Sequence, residues 1–342
     1  MDTNIDFSNE DWGKSVKFYD GCWVIAEKHN PALNKTMELN NRTFVFQLIN
    51  KEGKDSLLVY GCAGKPTIEA VKKLEKEAGL EVTWIVSNGG AHHLFLDLWY
   101  EAFPKARIPI PAKKIPFTRN GGNLQEKYSD RWELMHGPKP QQLLEEFGDE
   151  IDIVIFDQLF GYTDETSCEA FEGGALDHSS KPTSYGGLKM MMKFGSLMKD
   201  VSQPTDEVTF FHKKSGLVIG GHNYQFSYSP NGYKAPDKFK TKAGPFPLNL
   251  MMKLMMKPGD FKSNLEGQPS PIADSKLHLE QWELVLSWDI KAWTSAHNPV
   301  SICGPDLSGD EIKKTIRESL RRSGEDDPTG ARLKWNIKNN KK

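Results

Sequence analysis

Alternation between apolar and polar positions divides the first half of the chain into short strands and helices. Three runs rich in β-branched and aromatic residues predict buried strands: 43–48 (TFVFQL), 56–60 (SLLVY) and 81–86 (EVTWIV). Between the second and third runs, apolar residues recur at helical spacing from Ile68 to Ala78, with Pro66 in the first turn and Gly79 at the end. A glycine loop, an amphipathic segment and a strand at 107–110 follow. This order predicts an α/β fold.

The second half of the chain continues the same pattern. Further strands are predicted at 151–156 (IDIVIF), 206–211 (DEVTFF) and 216–221 (GLVIGG), the last two paired across a tight turn. A helix is predicted at 141–147, and the segment 283–290 fits either a helix or a strand. Ser308 and Glu311 form a capping-box signature before an apolar helical face at 312–320.

Composition shifts indicate one main domain with added segments. The main domain is predicted at 43–330, after an irregular N-terminal extension at 1–42 that could wrap the core. Two stretches inside it, about 161–206 and 229–275, interrupt the α/β pattern with polar, Gly/Pro-rich sequence and methionine-rich runs. They are predicted to be insertions, and the basic residues of 331–342 a solvated tail.

Charge and composition narrow the possible partners. The 342 residues carry a formal net charge of -2 with 38% hydrophobic and 26% charged residues, which is typical of a globular protein. No basic stripe favours nucleic acid binding, and no apolar run approaches the length of a membrane span. The acidic N-terminus lacks a secretory apolar segment, so we expect a cytoplasmic protein with four free cysteines. The oligomeric state is left open.

Four of the nine histidines follow predicted strands or lie in late loops, where α/β folds build sites: His92, His93, His222 and His297. Imidazole binds zinc, iron and other transition metals, and ligands from separate loops can leave a coordination position open for catalysis. The alternative is that each is an ordinary packing or loop residue. His212 alternates with buried strand neighbours and is expected to be structural, whereas the remaining histidines lack a strong metal-site context.

Three segments, taken in their order and separation, carry a family resemblance: WIVSNGGAHHLFLDLWYEAFPKARI, DEVTFFHKKSGLVIGGHNYQF and LSWDIKAWTSAHNPV. Along most of residues 43–322 the chain resembles the metallo-β-lactamase superfamily, and most closely an uncharacterised branch known as a domain of unknown function. The resemblance implies an αββα sandwich with a metal site along one edge.

The superfamily's main metal-binding motif, His-x-His-x-Asp-His, is rewritten in this chain. Its first two histidines fall on Asn88 and Gly90, its aspartate on His92 and its last histidine on His93. The metal-bridging aspartate falls on His222 and the final histidine on His297. The remaining middle histidine has no firm match, His178 being the nearest guess. The pattern therefore departs from a standard dinuclear zinc hydrolase.

The resemblance implies one divalent metal, zinc or iron, held by His92, His93, His222 and His297. We expect a hydrolase that uses metal-activated water on a small-molecule substrate, with the two insertions covering an apolar pocket. Asn88 would hydrogen-bond a ligand or an oxyanion. Asp97 would accept from a histidine N–H, or merely share the helix position.

Two alternatives stay open at the level of the sequence. An iron centre at the same histidines could carry out oxygen or redox chemistry. A scaffold or ligand-binding protein could have kept the fold without catalysis, in which case His92 and His222 would be packing residues.

Overall fold

The computed structural model describes the residues 5–7, 9–29, 39–89, 95–110, 131–134, 141–158, 160–162, 201–204, 207–221, 225–226, 261–262, 272–296 and 308–333. The described residues contain fifteen strands: β1 Ser15–Tyr19, β2 Cys22–His29, β3 Leu39–Ile49, β4 Asp55–Tyr60, β5 Val82–Val86, β6 Ile108–Ile110, β7 Trp132–Leu134, β8 Ile151–Phe156, β9 Phe160–Tyr162, β10 Val201–Pro204, β11 Glu207–His212, β12 Leu217–Gly220, β13 Gln225–Phe226, β14 Phe261–Lys262 and β15 Ala292–Ser295. The helices among these residues are α1 Lys65–Ala78, α2 Leu96–Ala102, α3 Gln141–Phe147, α4 Ser275–Ser287 and α5 Gly309–Ser323.

Two sheets form the centre of the molecule. The first has the strand order β1-β2-β3-β4-β5, antiparallel as far as β4, with β5 parallel to β4. The second has the order β15-β12-β11-β8, in which only β15 and β12 are parallel. Three short strand pairs, β6–β7, β9–β10 and β13–β14, lie outside these two sheets.

The strands β4, β5, β8, β11, β12 and β15 are buried on both faces, which explains their nearly continuous apolar sequences, whereas β1 at the edge of the first sheet is partly exposed. In β3, Phe44 and Phe46 pack in a cluster shared with β11 and β12 of the second sheet, whereas Val45 faces the other way. The shared cluster is the core between the sheets. Because side chains alternate along a strand, each strand contributes to this core and to an outer one.

Helices cover the outer face of each sheet. Ile68, Val71 and Leu74 of α1 pack with residues of α2 against the first sheet. Residues of α4 and α5, including Trp282 and Ile316, pack against the second. The layers are therefore helix, sheet, sheet, helix, which confirms the predicted αββα sandwich.

The C-terminal end of α1 and the N-terminal end of α5 lie where the predicted glycine and capping box place them. Gly79 ends α1 with φ 67°, a left-handed conformation that glycine adopts without strain. Ser308 and Glu311 form the predicted capping box at the start of α5. Segment 283–290 belongs mostly to α4, a helix that Asp274 caps by accepting from the Lys276 and Leu277 amides.

The N-terminal extension was expected to be irregular, but its described residues contribute the strands β1 and β2 to the first sheet. β1 and β2 extend it antiparallel to β3, and Phe18 and Val24 lie in the core between the sheets. The sequence of β1 is too short and too mixed in polarity to predict a strand, because the strand is stabilised by its pairing with β2. Among the described residues, no helix is long and apolar enough to cross a membrane.

Candidate functional site

The parallel pairing of β12 and β15 brings two of the predicted site segments side by side. Gly220 lies opposite Ser295 in the register of these strands. The chain continues through the buried residues Gly221 and Ala296, which directly precede His222 and His297. His222 and His297 lie outside the described residues, but the two strands that precede them end at the same edge of the second sheet.

The loop after β5 meets this edge from the first sheet. The Val208 amide donates to the Asn88 carbonyl at 3.1 Å, and Gly89 forms an isolated bridge with Glu207. Because β11 is antiparallel to β12, its first residues lie beside the end of β12. The end of β5 therefore reaches the end of β12 through the start of β11. His92 and His93 follow this loop in sequence and lie outside the described residues.

A buried ion pair supports the edge from the N-terminal side. The Arg42 amide donates to the Ala296 carbonyl at 2.9 Å, directly before His297 in sequence. The Arg42 guanidinium, fully buried, donates from Nη2 to Glu10 Oε2 at 2.7 Å and from Nε to Glu10 Oε1 at 2.5 Å. Bidentate geometry of this kind fixes the orientation of the guanidinium. The N-terminal segment thereby holds the end of β15 in place.

Asn88 is a buried amide in this edge. Its side chain is 1% exposed, and neither the amide nitrogen nor the amide oxygen has a hydrogen-bond partner in the part of the chain that the structure describes. A buried polar group without a partner costs about 1–3 kcal/mol, so native proteins rarely leave one without a role. The side chain of Asn88 is therefore suited to bind a ligand at this position.

Glu207 is a buried charged residue at this edge that the sequence analysis did not single out. It opens β11, its side chain is fully buried, and a Cβ placed on Gly221 would collide with its Oε2 atom. The carboxylate therefore occupies the space that any larger residue at position 221 would need. The signal in the sequence was a charged residue opening an otherwise apolar strand, which by itself is equally typical of a solvated strand end.

The charge of Glu207 also affects its surroundings. The Tyr60 hydroxyl donates to the Val208 carbonyl at 2.6 Å. Burial, and secondarily the negative charge of Glu207, raises the pKa of Tyr60 well above its usual range. Tyr60 is thus a neutral hydrogen-bond donor that joins the two sheets next to the candidate site.

Asp97 lies in the first turn of α2 and is 3% exposed. Its helical neighbours Leu96, Trp99 and Tyr100 are apolar or aromatic and buried. A carboxylate is costly to bury in such surroundings unless its charge is offset. The predicted bond from Asp97 to a histidine stays a prediction, since His92 and His93 are not among the described residues.

The described residues by themselves do not form a metal centre. No group of three or more histidine, cysteine, aspartate or glutamate residues that could hold a metal occurs among them. All four predicted ligands, His92, His93, His222 and His297, lie in segments outside the described ranges, as do His136 and His178. The structure does describe the strand ends that lead to the three segments in which these four histidines lie.

Two other histidines, His212 and His278, have buried side chains that bond to neighbouring side chains in the core. His212 lies at the opposite end of β11 from Glu207, with Nδ1 hydrogen-bonded to Ser215 Oγ at 2.8 Å. Burial, with a smaller contribution from Lys214, lowers the pKa of His212 to about 4. His278 Nε2 lies 2.9 Å from Glu325 Oε2 in the outer core beneath α4, and both side chains are fully buried. Neither histidine contacts the edge described above.

Comparisons with known proteins give a likeness of structure only. No protein-family model matches the sequence, and no curated protein matches it. The chain is similar in fold to metallo-β-lactamases. The DIM-1 metallo-β-lactamase exposed to ceftazidime gives a TM-score of 0.44 at 8% identity, covering 90% of this chain and 97% of that one. FIM-1 from Pseudomonas aeruginosa in its mono-zinc form gives 0.44 at 10% identity, with 92% and 96% covered. The enzyme from Pontibacter korlensis gives 0.42 at 8%, with 89% and 98% covered.

Proposed function

We propose that this protein is a metal-dependent hydrolase with one divalent metal, zinc or iron, at the edge of the sandwich. The ligands would be His92, His93, His222 and His297. The observation that carries the proposal is the register of β12 and β15, in which Gly220 lies opposite Ser295. In this register the two strands run parallel. Gly220 lies two residues before His222, and Ser295 lies two residues before His297. The hydrogen bond from the Val208 amide to the Asn88 carbonyl joins the start of β11 to the loop that leads to His92 and His93.

The described residues fit such a site chemically. The edge contains a buried amide without a partner among the described residues, Asn88, and a fully buried carboxylate, Glu207. Oxygen donors and imidazoles are both ligands of zinc and ferrous iron. Such polar groups, buried close together where strands of two sheets end, favour a ligand site over ordinary core packing.

A bound metal of this kind would supply an activated water as the nucleophile for hydrolysis. The contributions of the chain itself are those of position and charge. The Asn88 amide would hydrogen-bond the substrate or the oxyanion that forms from it. Asp97 would orient a histidine by accepting from its ring N–H. The segments 161–206 and 229–275 would cover the site above a small, apolar substrate.

The experiment is elemental analysis of the purified protein beside the double variant His93→Ala/His297→Ala. We expect about one equivalent of zinc or iron in the wild type and a loss of nearly all of it in the variant, because both changes remove ligands. The matched control is His29→Ala/His136→Ala, which removes two histidines from outside the proposed set and should keep the metal. Absence of metal from the wild type, even after reconstitution with zinc or ferrous iron, would refute the proposal.

A further inference from the structure

The described residues between positions 5 and 14 form an irregular strap before β1. Backbone bonds attach this strap to the first sheet: the Asp6 amide donates to the Phe18 carbonyl at 2.9 Å, and the Gly13 amide donates to the Ala26 carbonyl at 2.7 Å. By contrast, β1 and β2 pair with their neighbours along most of their length. The strap can therefore separate from the sheet without breaking the pairing of these strands.

Glu10 is the buried charge of the strap, with a side chain 2% exposed. Arg42 of β3 is 1% exposed and donates from Nε and Nη2 to the two carboxylate oxygens of Glu10, at 2.5 and 2.7 Å. The strap also buries Ile5 and stacks the half-buried Phe7 on the ring of Phe18. Its attachment therefore centres on one ion pair and two apolar side chains.

A buried ion pair can act as a latch for such a segment. Both charges lose water when the strap closes, and their mutual attraction offsets that loss only while they are paired. Neutralising Glu10 leaves the Arg42 guanidinium buried without this carboxylate. The open strap is then favoured, because water reaches the guanidinium only when the strap leaves.

Arg42 connects the latch to the candidate site. Its backbone amide donates to the Ala296 carbonyl at 2.9 Å, directly after β15. Its carbonyl oxygen lies 2.9 Å from the position that a Cβ on Gly61 would take, directly after β4. Any rearrangement that hydrates the guanidinium therefore acts on the residue that bonds the end of β15.

We infer that the strap opens as a unit, that the Glu10–Arg42 pair is the latch that keeps it closed, and that its opening loosens the end of β15. The fold thus contains a device that controls the rigidity of the edge where the proposed site lies. The inference does not depend on the proposed function, since every contact that carries it lies within the described residues and none involves a metal.

Native-state hydrogen exchange of the full chain, measured by NMR at single amides, tests this inference. Glu10→Gln keeps the size of the side chain but removes its charge. We expect the Gly13 and Arg42 amides to exchange at least about 10-fold faster in this variant, because a bond between charged groups is lost and both amides open with the strap. Amides of β8 and β11, in the other sheet, should keep their wild-type rates.

The control is Asp20→Asn, which neutralises an exposed carboxylate near the strap. Asp20 pairs with Lys17 on the surface, and its side chain is 80% exposed. Surface ion pairs contribute little to stability, so all these rates should stay within about 2-fold of the wild type.

Each outcome decides the inference. Faster exchange at Gly13 with an unchanged rate at Arg42 would show that the strap is not coupled to β15 and would overturn it. Equal acceleration throughout β8 and β11 would assign the effect to global unfolding, and an equal effect of Asp20→Asn would remove the role of the latch.

A second measurement needs no variant and serves if Glu10→Gln does not fold. In the wild type, the Gly13 and Arg42 amides should exchange with the same dependence on urea concentration, as expected of one cooperative unit. Different dependences for the two amides would overturn the inference.

Discussion

At the scale of single residues, His212 shows how a histidine can be held neutral inside the sandwich. Its ring lies 5.1 Å from that of Phe46, and Ser215 Oγ bonds its Nδ1 atom. The Ser215 hydroxyl also accepts from the Leu217 amide at 3.2 Å. His212 thereby fixes the turn between β11 and β12, which sets the register of the strands that lead to the candidate site.

This burial predicts a pH dependence of stability. The pKa of His212 falls from 6.5 to about 4 on folding, so the unfolded state binds the proton more readily. Stability is therefore complete above the unfolded pKa and is lost as the pH falls from about 6.5 towards 4. From this group alone, the free energy of unfolding should decrease by about 2 kcal/mol between about pH 7 and pH 5.

Urea unfolding, followed by tryptophan fluorescence at both pH values, measures the decrease. His212→Asn is the comparison, because asparagine can still bond Ser215 but does not titrate. The variant is expected to be less stable at neutral pH, having lost the ring packing, and to show a smaller decrease on acidification. An equal decrease in both proteins would contradict the account of His212.

The candidate site was only partly predictable at this scale. Asn88 became a candidate because the first histidine of the superfamily's metal-binding motif falls on it, and the structure buries its side chain in this edge. Glu207 was missed, because its burial depends on a contact between β11 and the loop after β5, which are more than a hundred residues apart in sequence. Local patterns of polarity do not contain such contacts.

At the scale of elements, the N-terminal strands are the main addition to what the sequence predicts. Phe18 of β1 is 2% exposed and stacks on Phe7 with ring centroids 4.7 Å apart. It also meets Phe44 of β3 edge-on at 6.1 Å. The interior strands β3, β4, β5 and β8 and helices α1 and α5 were predictable, since each has a strong period or terminal signal of its own.

Truncation at Phe18 tests whether these strands belong to the core. Phe18→Ala should lower the free energy of unfolding by about 3–5 kcal/mol, because it leaves a cavity between aromatic rings. Urea unfolding measures this value. Leu277→Ala, at a side chain 45% exposed, is the control and should stay within about 0.5 kcal/mol of the wild type. Equal effects of the two changes would mean that β1 does not support the core.

At the scale of the whole molecule, the four layers explain where a site can form. The sheets meet face to face through a core of apolar residues, and the buried polar residues Asn88 and Glu207 lie beside this core where strands end. The resemblance to metallo-β-lactamases predicted this layered arrangement from three scattered segments. It could not predict the contribution of residues 1–42 to the first sheet, because that depends on pairing between β2 and β3.

The central claim is that the ends of β5, β12 and β15 carry a metal held by histidines. X-ray absorption spectroscopy of the purified protein at the zinc and iron edges tests it most directly. We predict one metal with a shell of nitrogen and oxygen neighbours at about 2.0–2.2 Å and the outer-shell scattering of imidazole rings. The absence of an absorption edge, or a sulfur shell at about 2.3 Å that indicates cysteine ligands, would contradict the account.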